Sequence, residues 1–535
     1  MTPTPTSPPV EPDVTAGAVA PAPGCSLLAR IRAERLPSGT ILLGLLGSVL
    51  LTVGAVGAGG TLVQDPLITG GPLSWVRYGH GRDLSMTVLY VGFGFVVWAW
   101  VRLGRDVLRG TATGRNVLTA GAVWIVPMLV SPPLFTRDVY SYLGQGALAL
   151  RGLDPYQVGP VELPPGPIPD NVHYVWQTTP APYGPLFLFI SKIMYWAAGD
   201  STILGVIGMR LLLLSGLGLL VYALPRLAER LGGNTPVTLW LVVANPMMVV
   251  HLVGGPHNDL LMIGLLATGT LLTLQGRHGT GIALVTVAMA VKASAGVALP
   301  FLVLIWASRL PGNRWARLLR AGAPALAVFV GVFAAITLVS GVGLGWIPAL
   351  DAPSETIYNW MSLPTGAGQL AHGLTGLFVD VEAGPFVEVT RLLGSGLLLA
   401  LLARQWWKAR DGGPDAVRRA AYILLASAVL APATLPWYLT WGLVLGACFA
   451  WTPRALALVV AASTWLVLSS YPTGESALGS WPYMLGTVAV SALAAVSLLR
   501  PDPLRFGPQR VRARREPAPV QAASDPAATT GAGAG

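Results

Sequence analysis

Asp138 is the residue whose type and surroundings point most directly to catalysis. It stands beside Arg137, directly after an apolar run, and opens the long polar segment 135–182. Its carboxylate is therefore expected at the lipid–water boundary, where partial desolvation makes a charge costly. A reaction that needs a proton acceptor explains such a carboxylate, and we predict that Asp138 is a general base. The alternative is structural: Asp138 caps a helix and Arg137 anchors it at the interface.

A second polar cluster, His257-Asn258-Asp259, follows a Gly-Gly-Pro turn and begins the next apolar run. Three hydrogen-bonding side chains at the positive end of a helix indicate a site for an anion or for sugar hydroxyls. The alternative is a polar helix cap, in which Asn258 or Asp259 satisfies free backbone N–H groups.

Two cations lie within apolar runs. Lys292 separates the pieces 280–291 and 293–308, and we expect it near the tip of a hairpin that enters the membrane and returns. A lysine buried in a membrane needs an acid or a phosphate as its partner. An ion pair with Asp259 is the structural alternative to phosphate binding. Arg210, inside the run 201–224, poses the same question.

Aromatic residues concentrate near the same predicted membrane surface, where an interfacial belt explains most of them. The segment LPWYLTW at 435–441 is more specific, because Pro436 interrupts two short apolar runs. Irregular backbone at membrane depth occurs where it lines a cavity. We therefore predict that Trp437 and Tyr438 line a cleft.

The composition determines which elements must position these residues. The chain has 535 residues, of which 53% are hydrophobic and 11% charged, and its mean hydropathy is +0.62. So few charges could not keep a soluble multidomain enzyme of this length in solution. Apolar runs near the length of a membrane span recur, and they predict an all-α polytopic membrane protein of about 12–14 transmembrane helices. The segment 184–198 is predicted to be an interfacial or re-entrant helix.

The distribution of basic residues predicts the orientation. If the N-terminus is cytoplasmic, most Lys and Arg residues fall on the cytoplasmic side, as the positive-inside rule requires. We predict a multi-pass plasma-membrane protein with both termini cytoplasmic and the 135–182 loop and active site extracytoplasmic. The net charge of +10 is then explained by topology and by contact with anionic membrane lipid, with no nucleic-acid partner. Residues 1–36 and 501–535 are predicted to be disordered cytoplasmic ends.

The sequence contains no phosphate loop, no HExxH motif and no His/Cys pattern with metal-ligand spacing. Its two cysteines, Cys25 and Cys448, are too few for a disulfide framework. We predict neither a cofactor nor a bound metal, although Asp138 and Asp259 could share an ion if they lie together.

Several segments together resemble the actinobacterial polyprenol-phosphate-mannose-dependent α-1,6-mannosyltransferases of the MptA/MptB type, which are GT-C glycosyltransferases. Within this resemblance the MptB type is favoured, and the similarity covers roughly residues 40–500. The matching segments are FTRDVYSYLGQGALALRGLDPYQVGP (135–160), APYGPL (181–186), HNDLLMIGLL (257–266), VKASAGVALPFL (291–302) and LPWYLTW (435–441).

The resemblance implies a GT-C transmembrane domain over residues 37–500. It also implies a polyprenyl-phosphate-mannose donor, which is a substrate, and a mannan glycolipid acceptor of lipomannan and lipoarabinomannan synthesis in the cell envelope. Asp138 matches the acidic residue early in the first outer loop and would act as the base of an inverting transfer. The residues assigned to the donor phosphate are Arg137, His257, Lys292 and Arg210. The residues assigned to sugar or acceptor binding are Tyr140, Tyr142, Asp154, Tyr156, Asn258, Asp259, Trp437 and Tyr438.

Two other functions remain open at this point. A related GT-C enzyme could use another polyprenyl-phosphate sugar, such as arabinose or glucose, because loops rather than fold select the sugar. A lipid-linked sugar transporter or flippase would also place charges within the membrane, although the chain shows none of the inverted repeats common in transporters. A purely structural scaffold would not need Lys292 and Asp259 in such settings.

Overall fold

The computed structural model describes residues 37–66, 68–500 and 503. The predicted disordered ends, 1–36 with Cys25 and 501–535, lie outside the described residues apart from Pro503. Within the described ranges the chain is helical and contains no β-strand, only one isolated bridge between Ser470 and Ser476. The predicted all-α fold class is confirmed.

The helices follow one another with short connections except in the 135–182 loop. In the first half they are α1 Ser38–Ala58, α2 Gly79–Leu108, α3 Gly114–Ile125, α4 Asp138–Leu150, α5 Tyr174–Gln177, α6 Pro185–Ala198, α7 Thr202–Leu231, α8 Thr235–Val242, α9 Asp259–Leu274 and α10 His278–Val291. In the second half they are α11 Leu299–Ala307, α12 Arg314–Ser340, α13 Trp346–Ala349, α14 Ala352–Thr356, α15 Leu363–Thr375, α16 Gly384–Lys408, α17 Gly413–Leu430, α18 Leu439–Gly446, α19 Pro453–Leu468 and α20 Trp481–Leu499.

Six of the described helices, α1, α2, α7, α12, α16 and α20, are long and apolar enough to cross a membrane. A seventh span results if α8 and the π-helix Met247–Gly254, which meet at a bend of 47°, count as one. Shorter apolar helices, among them α6, α9, α10 and α19, supply further hydrophobic segments. The polytopic membrane architecture is thus confirmed, and the higher span number, which counts these short helices, stays a prediction.

Helix α9 forms the centre of the bundle, since every residue from 259 to 273 is buried. A helix that is apolar on all faces must be surrounded by others. Glycines allow α7 to approach it closely, because a Cβ at Gly216 would lie 2.2 Å from the carbonyl oxygen of Leu260. Small residues permit such close helix packing within membranes. The first turn of α9, which begins at Asp259, is therefore held rigidly among the other helices.

Candidate active site

Two cavities meet at Asp138. Cavity A has a volume of about 360 Å³ and lies between the 135–138 segment, α5 and the chain around residues 356–359 and 469–478. Cavity B has a volume of about 220 Å³ and extends towards Lys292 and residues 350–354. The residues common to both walls are Asp138, Trp176, Leu435 and Trp437. A group at Asp138 can therefore contact molecules in both cavities.

The carboxylate of Asp138, the first residue of α4, points into the site and does not cap its helix. Its Oδ1 accepts a hydrogen bond of 3.0 Å from the Trp176 indole N–H, and its Oδ2 lies 3.6 Å from Nδ1 of His257. Burial raises the pKa of Asp138 above its ordinary value, while the positive charge of Lys292 and the Trp176 hydrogen bond oppose that rise. A carboxylate with a raised pKa is a stronger proton acceptor than a free one.

The backbone before Asp138 is strained and is held by another part of the chain. Phe135 has φ of +57°, a left-handed conformation that a bulky side chain rarely adopts. Its N–H donates to the carbonyl of Pro472 at 3.0 Å. Pro472 belongs to the turn between α19 and α20, residues 469–477, which we call the 469–477 hairpin. Gly474 in that turn has φ of +101°, and a Cβ there would lie 3.1 Å from Thr136. The 469–477 hairpin thus holds the segment that carries Asp138.

His257 lies behind Asp138 as a packed, neutral ring. It stacks on Trp437 with ring centroids 3.6 Å apart, and its Nδ1 lies 3.4 Å from the hydroxyl of Tyr142. It is fully buried, and burial lowers its pKa well below the ordinary value. His257 lines neither cavity. The structure places His257 behind the walls of both cavities, and its binding of the donor phosphate stays a prediction.

Lys292 joins Asp259 and reaches cavity B at the same time. Its Nζ donates to Oδ2 of Asp259 at 2.7 Å, and Oδ1 of the same carboxylate accepts the Trp441 indole N–H at 2.6 Å. The ammonium also lies 4.7 Å from the centre of the Tyr438 ring. The structure therefore contains the ion pair that was the alternative for Lys292. Because Lys292 also lines cavity B, its remaining N–H groups are available to a ligand.

Arg210, in α7, connects three segments of backbone through hydrogen bonds. Its three guanidinium nitrogens donate to the carbonyls of Val253, Leu129 and Gly254, and the residue is 1% exposed. Arg210 lines neither cavity A nor cavity B, and its binding of the donor phosphate stays a prediction.

Arg137 lines cavity A, but its guanidinium is also bonded to the backbone. It donates to the carbonyls of Asn171 and Thr61 and lies over the ring of Tyr140. It does not line cavity B, where Lys292 is found. Its contacts support the anchoring alternative, and its binding of the donor phosphate stays a prediction.

Several residues predicted to bind sugar stabilise the outer loop instead. The Tyr140 hydroxyl donates to the carbonyl of Gly60, and Asp154 accepts the backbone N–H of Tyr156 in a local turn. The Tyr156 hydroxyl donates to the carbonyl of Tyr183. Neither cavity is lined by Tyr140, Asp154 or Tyr156, and their sugar contacts stay predictions.

The remaining predicted sugar-binding residues divide into two groups. Trp437 lines both cavities and Tyr438 lines cavity B, in agreement with the predicted cleft. Tyr142, Asn258 and Asp259 are buried behind the cavity walls. Asn258 does not cap α9, and neither its Oδ1 nor its Nδ2 has a hydrogen-bond partner. We have no physical account of Asn258.

Sequence reasoning missed the segment that covers both cavities. Residues 350–354 line cavity B and residues 356–359 line cavity A. Arg391 holds this segment by donating to the carbonyls of Ser354 and Ile357, and its guanidinium lies 4.4 Å from the centre of the Tyr358 ring. The sequence carried one signal for this segment, which is Arg391 itself. An isolated arginine near the outer end of a predicted span needs a local partner.

The partners of the two site aspartates were also missed. Trp176 and Trp441 were not among the predicted site residues, yet each donates its indole N–H to a carboxylate. Within the described residues, no group of three or more His, Cys, Asp or Glu side chains could hold a metal ion. The absence of a metal requirement stays a prediction.

The comparisons with known proteins match nearly the whole described bundle. A family model described as "Alpha-(1->6)-mannopyranosyltransferase, N-terminal domain" matches residues 41–308, and one described as "MptB C-terminal domain" matches residues 364–500. No solved structure matches the chain.

Three curated relatives show the extent of the similarity. Alpha-(1->6)-mannopyranosyltransferase A of Mycobacterium tuberculosis is 43% identical over 88% of this chain and 92% of its own length. The A enzyme of Corynebacterium glutamicum is 32% identical over 83% of this chain and 94% of its own length. The B enzyme of the same species is 30% identical over 75% of this chain and 71% of its own length. The relatives named A have the higher identities here, whereas the C-terminal model is named for B, so the preference for the MptB type stays a prediction.

Proposed function

The chain belongs to the alpha-(1->6)-mannopyranosyltransferase family, and from this premise we propose that it moves mannose from polyprenyl-phosphate-mannose to an α-1,6-mannan acceptor. Mannosyl transfer by a polytopic membrane protein follows from the family and the fold. The donor, the acceptor, the membrane face and the mechanism are our proposals. The observation that carries them is the position of Asp138 between cavities A and B.

In the proposed reaction, Asp138 accepts the proton of the acceptor C6 hydroxyl as that oxygen attacks the anomeric carbon of the donor. The new C–O bond forms while the bond from the anomeric carbon to the phosphate oxygen breaks. The proton ends on the Asp138 carboxyl, and polyprenyl phosphate leaves with the bonding electrons. Attack from the face opposite the phosphate inverts a β-linked donor and gives an α-mannoside. A positioned base contributes about 10²–10⁴-fold to the rate of such a transfer.

Cavity B has the chemistry expected for the donor phosphate. The Lys292 ammonium lies in its wall, and Ser294 supplies a hydroxyl nearby. The rest of the wall includes Ala431, Pro432 and Ala433, which suit a lipid chain. The leaving phosphate gains negative charge during the reaction, and a fixed ammonium in a dry site stabilises that charge. Asp259 keeps Lys292 in place by pairing with it.

The direction of the helices supports an extracytoplasmic site. The Arg77 guanidinium, just before α2, and that of Arg137 both donate to Thr61, so α2 begins close to the site. Helix α2 is 30 residues long and carries Arg102 and Arg105 near its far end. Under the positive-inside rule, that far end is cytoplasmic and the site faces outward.

The test of this function is chemical analysis of the product. Purified protein in liposomes is given polyprenyl-phosphate-mannose and a short α-1,6-linked mannoside, and the linkage of the product is determined. We expect a new α-1,6-mannosidic bond and release of polyprenyl phosphate. Movement of the donor lipid across the bilayer without a new bond would show a flippase. Transfer from polyprenyl-phosphate-glucose or -arabinose in preference to mannose would show a different donor.

A further inference from the structure

We propose that cavity A is the acceptor subsite, in which Glu475 and Asn359 bind hydroxyl groups of a neutral mannoside. This rests on the proposed function, because it names the place from which the attacking hydroxyl reaches Asp138. Neither residue belongs to the reacting groups described above. They lie on separate segments that converge on one cavity, with Glu475 in the 469–477 hairpin and Asn359 between α14 and α15.

The polar groups of cavity A suit an uncharged ligand. Besides Asp138, each cavity is lined by one cation and one acid, which are Lys292 and Asp351 in cavity B and Arg137 and Glu475 in cavity A. The Arg137 guanidinium donates to backbone carbonyls from all three of its nitrogens, whereas the Lys292 ammonium has one described hydrogen bond, to Asp259. The cation of cavity A is therefore less available to a phosphate, and the Glu475 carboxylate accepts hydrogen bonds from hydroxyls. Cavity A thus suits an uncharged ligand rich in hydroxyl groups.

Asn359 has a hydrogen-bond acceptor that the protein itself leaves unused. Its Nδ2 donates to the carbonyl of Thr434 at 3.2 Å, which fixes the orientation of the amide. Its Oδ1 is buried and has no partner. Buried polar atoms are almost always paired, so an unpaired acceptor in a cavity wall indicates a donor on a ligand. A sugar hydroxyl is such a donor.

Glu475 lies beside His173. The Nδ1 of His173 accepts the backbone N–H of Val175, so the hydrogen of the neutral ring is on Nε2. That Nε2 lies 3.1 Å from Oε1 of Glu475, but off the axis of a linear hydrogen bond. The Glu475 side chain stays 46% exposed. The carboxylate thus lies beside a ring nitrogen at the edge of cavity A and keeps lone pairs free for a ligand.

Aromatic rings complete the cavity. Tyr358 is 52% exposed at its edge, and the half-buried ring of Trp176 and the buried ring of Trp437 form the wall next to Asp138. Rings with an apolar face and a polar edge suit a sugar, which presents C–H groups on its faces and hydroxyls on its rim. The volume of about 360 Å³ falls within the range of small-molecule sites. An acceptor end bound here lies beside the carboxylate that must take its proton.

The experiment separates acceptor binding from donor use. Glu475→Gln preserves size and removes the charge, and Glu382→Gln is the matched control, since Glu382 is exposed and lines neither cavity. For each variant, KM is measured for an α-1,6-linked mannotriose and for polyprenyl-phosphate-mannose. Binding of the triose alone is measured by saturation-transfer NMR. A series of deoxy-trioses, each lacking one hydroxyl of the terminal mannose, identifies the hydroxyl concerned.

We expect Glu475→Gln to raise the acceptor KM by at least about 10-fold and to leave the donor KM unchanged. For the wild type, at least one deoxy-triose should have a lower kcat/KM than the parent triose. For Glu475→Gln, the same deoxy-triose and the parent triose should have equal kcat/KM values. An unchanged acceptor KM, or an equal rise in both KM values, would overturn the proposal. Absence of triose binding to the wild type would also overturn it. Triose binding without transfer from the mannosyl donor would instead overturn the proposed function and leave cavity A as a saccharide site.

Discussion

The two buried aspartates of the site begin helices in the same way and differ in their partners. Asp138 is the first residue of α4 and Asp259 the first residue of α9. Each accepts the indole N–H of a tryptophan, from Trp176 and Trp441 respectively. Asp259 is completely buried and paired with Lys292, whereas Asp138 is 7% exposed, lines both cavities and faces the neutral ring of His257.

This difference separates a charge that holds structure from one that can do chemistry. Breaking a buried ion pair leaves an uncompensated charge. The role of Asp259 is therefore to neutralise Lys292 and keep it in position. Asp138 has no Lys or Arg partner among the described ion pairs, only the His257 ring at 3.6 Å, and burial raises its pKa. An unpaired, partly accessible carboxylate can exchange its proton with a substrate, while the paired one cannot do so without releasing the lysine.

The largest expected effect is on the rate of transfer by Asp138→Asn. Removing the base should lower kcat by about 10²–10⁴-fold. Thermal unfolding should stay close to that of the wild type, because the amide still accepts the Trp176 N–H. Initial rates of mannosyl transfer and a melting curve measure both quantities on one preparation.

The control for this substitution is Asp170→Asn, which makes the same change on an exposed residue of the same loop. Wild-type activity is expected for Asp170→Asn. If Asp138→Asn transfers mannose at a near-normal rate, Asp138 is not the base.

The second effect concerns the stability of the Lys292–Asp259 pair. Asp259→Asn alone should destabilise the protein by about 3–5 kcal/mol, because the ammonium loses its only ion-pair partner in the described structure. The double variant Asp259→Asn with Lys292→Met should recover part of that loss. Thermal unfolding of both variants in one detergent gives the comparison.

Lys292→Met also distinguishes structure from donor binding. If Lys292 binds the donor phosphate, the donor KM rises more than the acceptor KM. Equal rises in both would limit Lys292 to the structural pair.

The smallest effects are expected from replacing the two tryptophans that donate to the aspartates. A hydrogen bond to a charged group contributes about 1.5–3 kcal/mol. Trp176→Phe should therefore lower the transfer rate by about 10-fold or more. Its loss of stability should be smaller, because Asp138 lines both cavities and water can replace the lost hydrogen bond. Trp441→Phe should mainly lower stability, because the carboxylate that loses its hydrogen bond, Asp259, still pairs with Lys292. The same effect from both substitutions would argue against different roles for the two aspartates.

Much of the fold was predictable because the membrane constrains it. Apolar runs and the position of arginines predicted an all-α polytopic bundle, and α6 agrees with the predicted short helix at 184–198. The composition could not separate spans from buried short helices. Helix α9 is apolar on every face because other helices surround it, and in sequence it looks the same as a segment that contacts lipid.

The site was predictable where the sequence carries a costly group. Asp138 and Lys292 were identified because a charge beside an apolar run needs a reason, and the structure places both in cavity walls. Glu475 and Asn359 were missed because they lie in polar loops, where such residues are common. The partners of Arg210 could not be predicted, because they are backbone carbonyls, which no sequence pattern marks.

The most direct test of Asp138 as the base is the pH dependence of kcat/KM in the wild type and in Asp138→Asn. A base acts only when deprotonated, so wild-type activity should fall as the pH is lowered through the pKa of Asp138. Because burial raises that pKa, the fall should occur at a higher pH than for an ordinary aspartate. The residual activity of Asp138→Asn should not change over the same range. If Asp138→Asn keeps the wild-type acid limb, another group is the base and the account is contradicted.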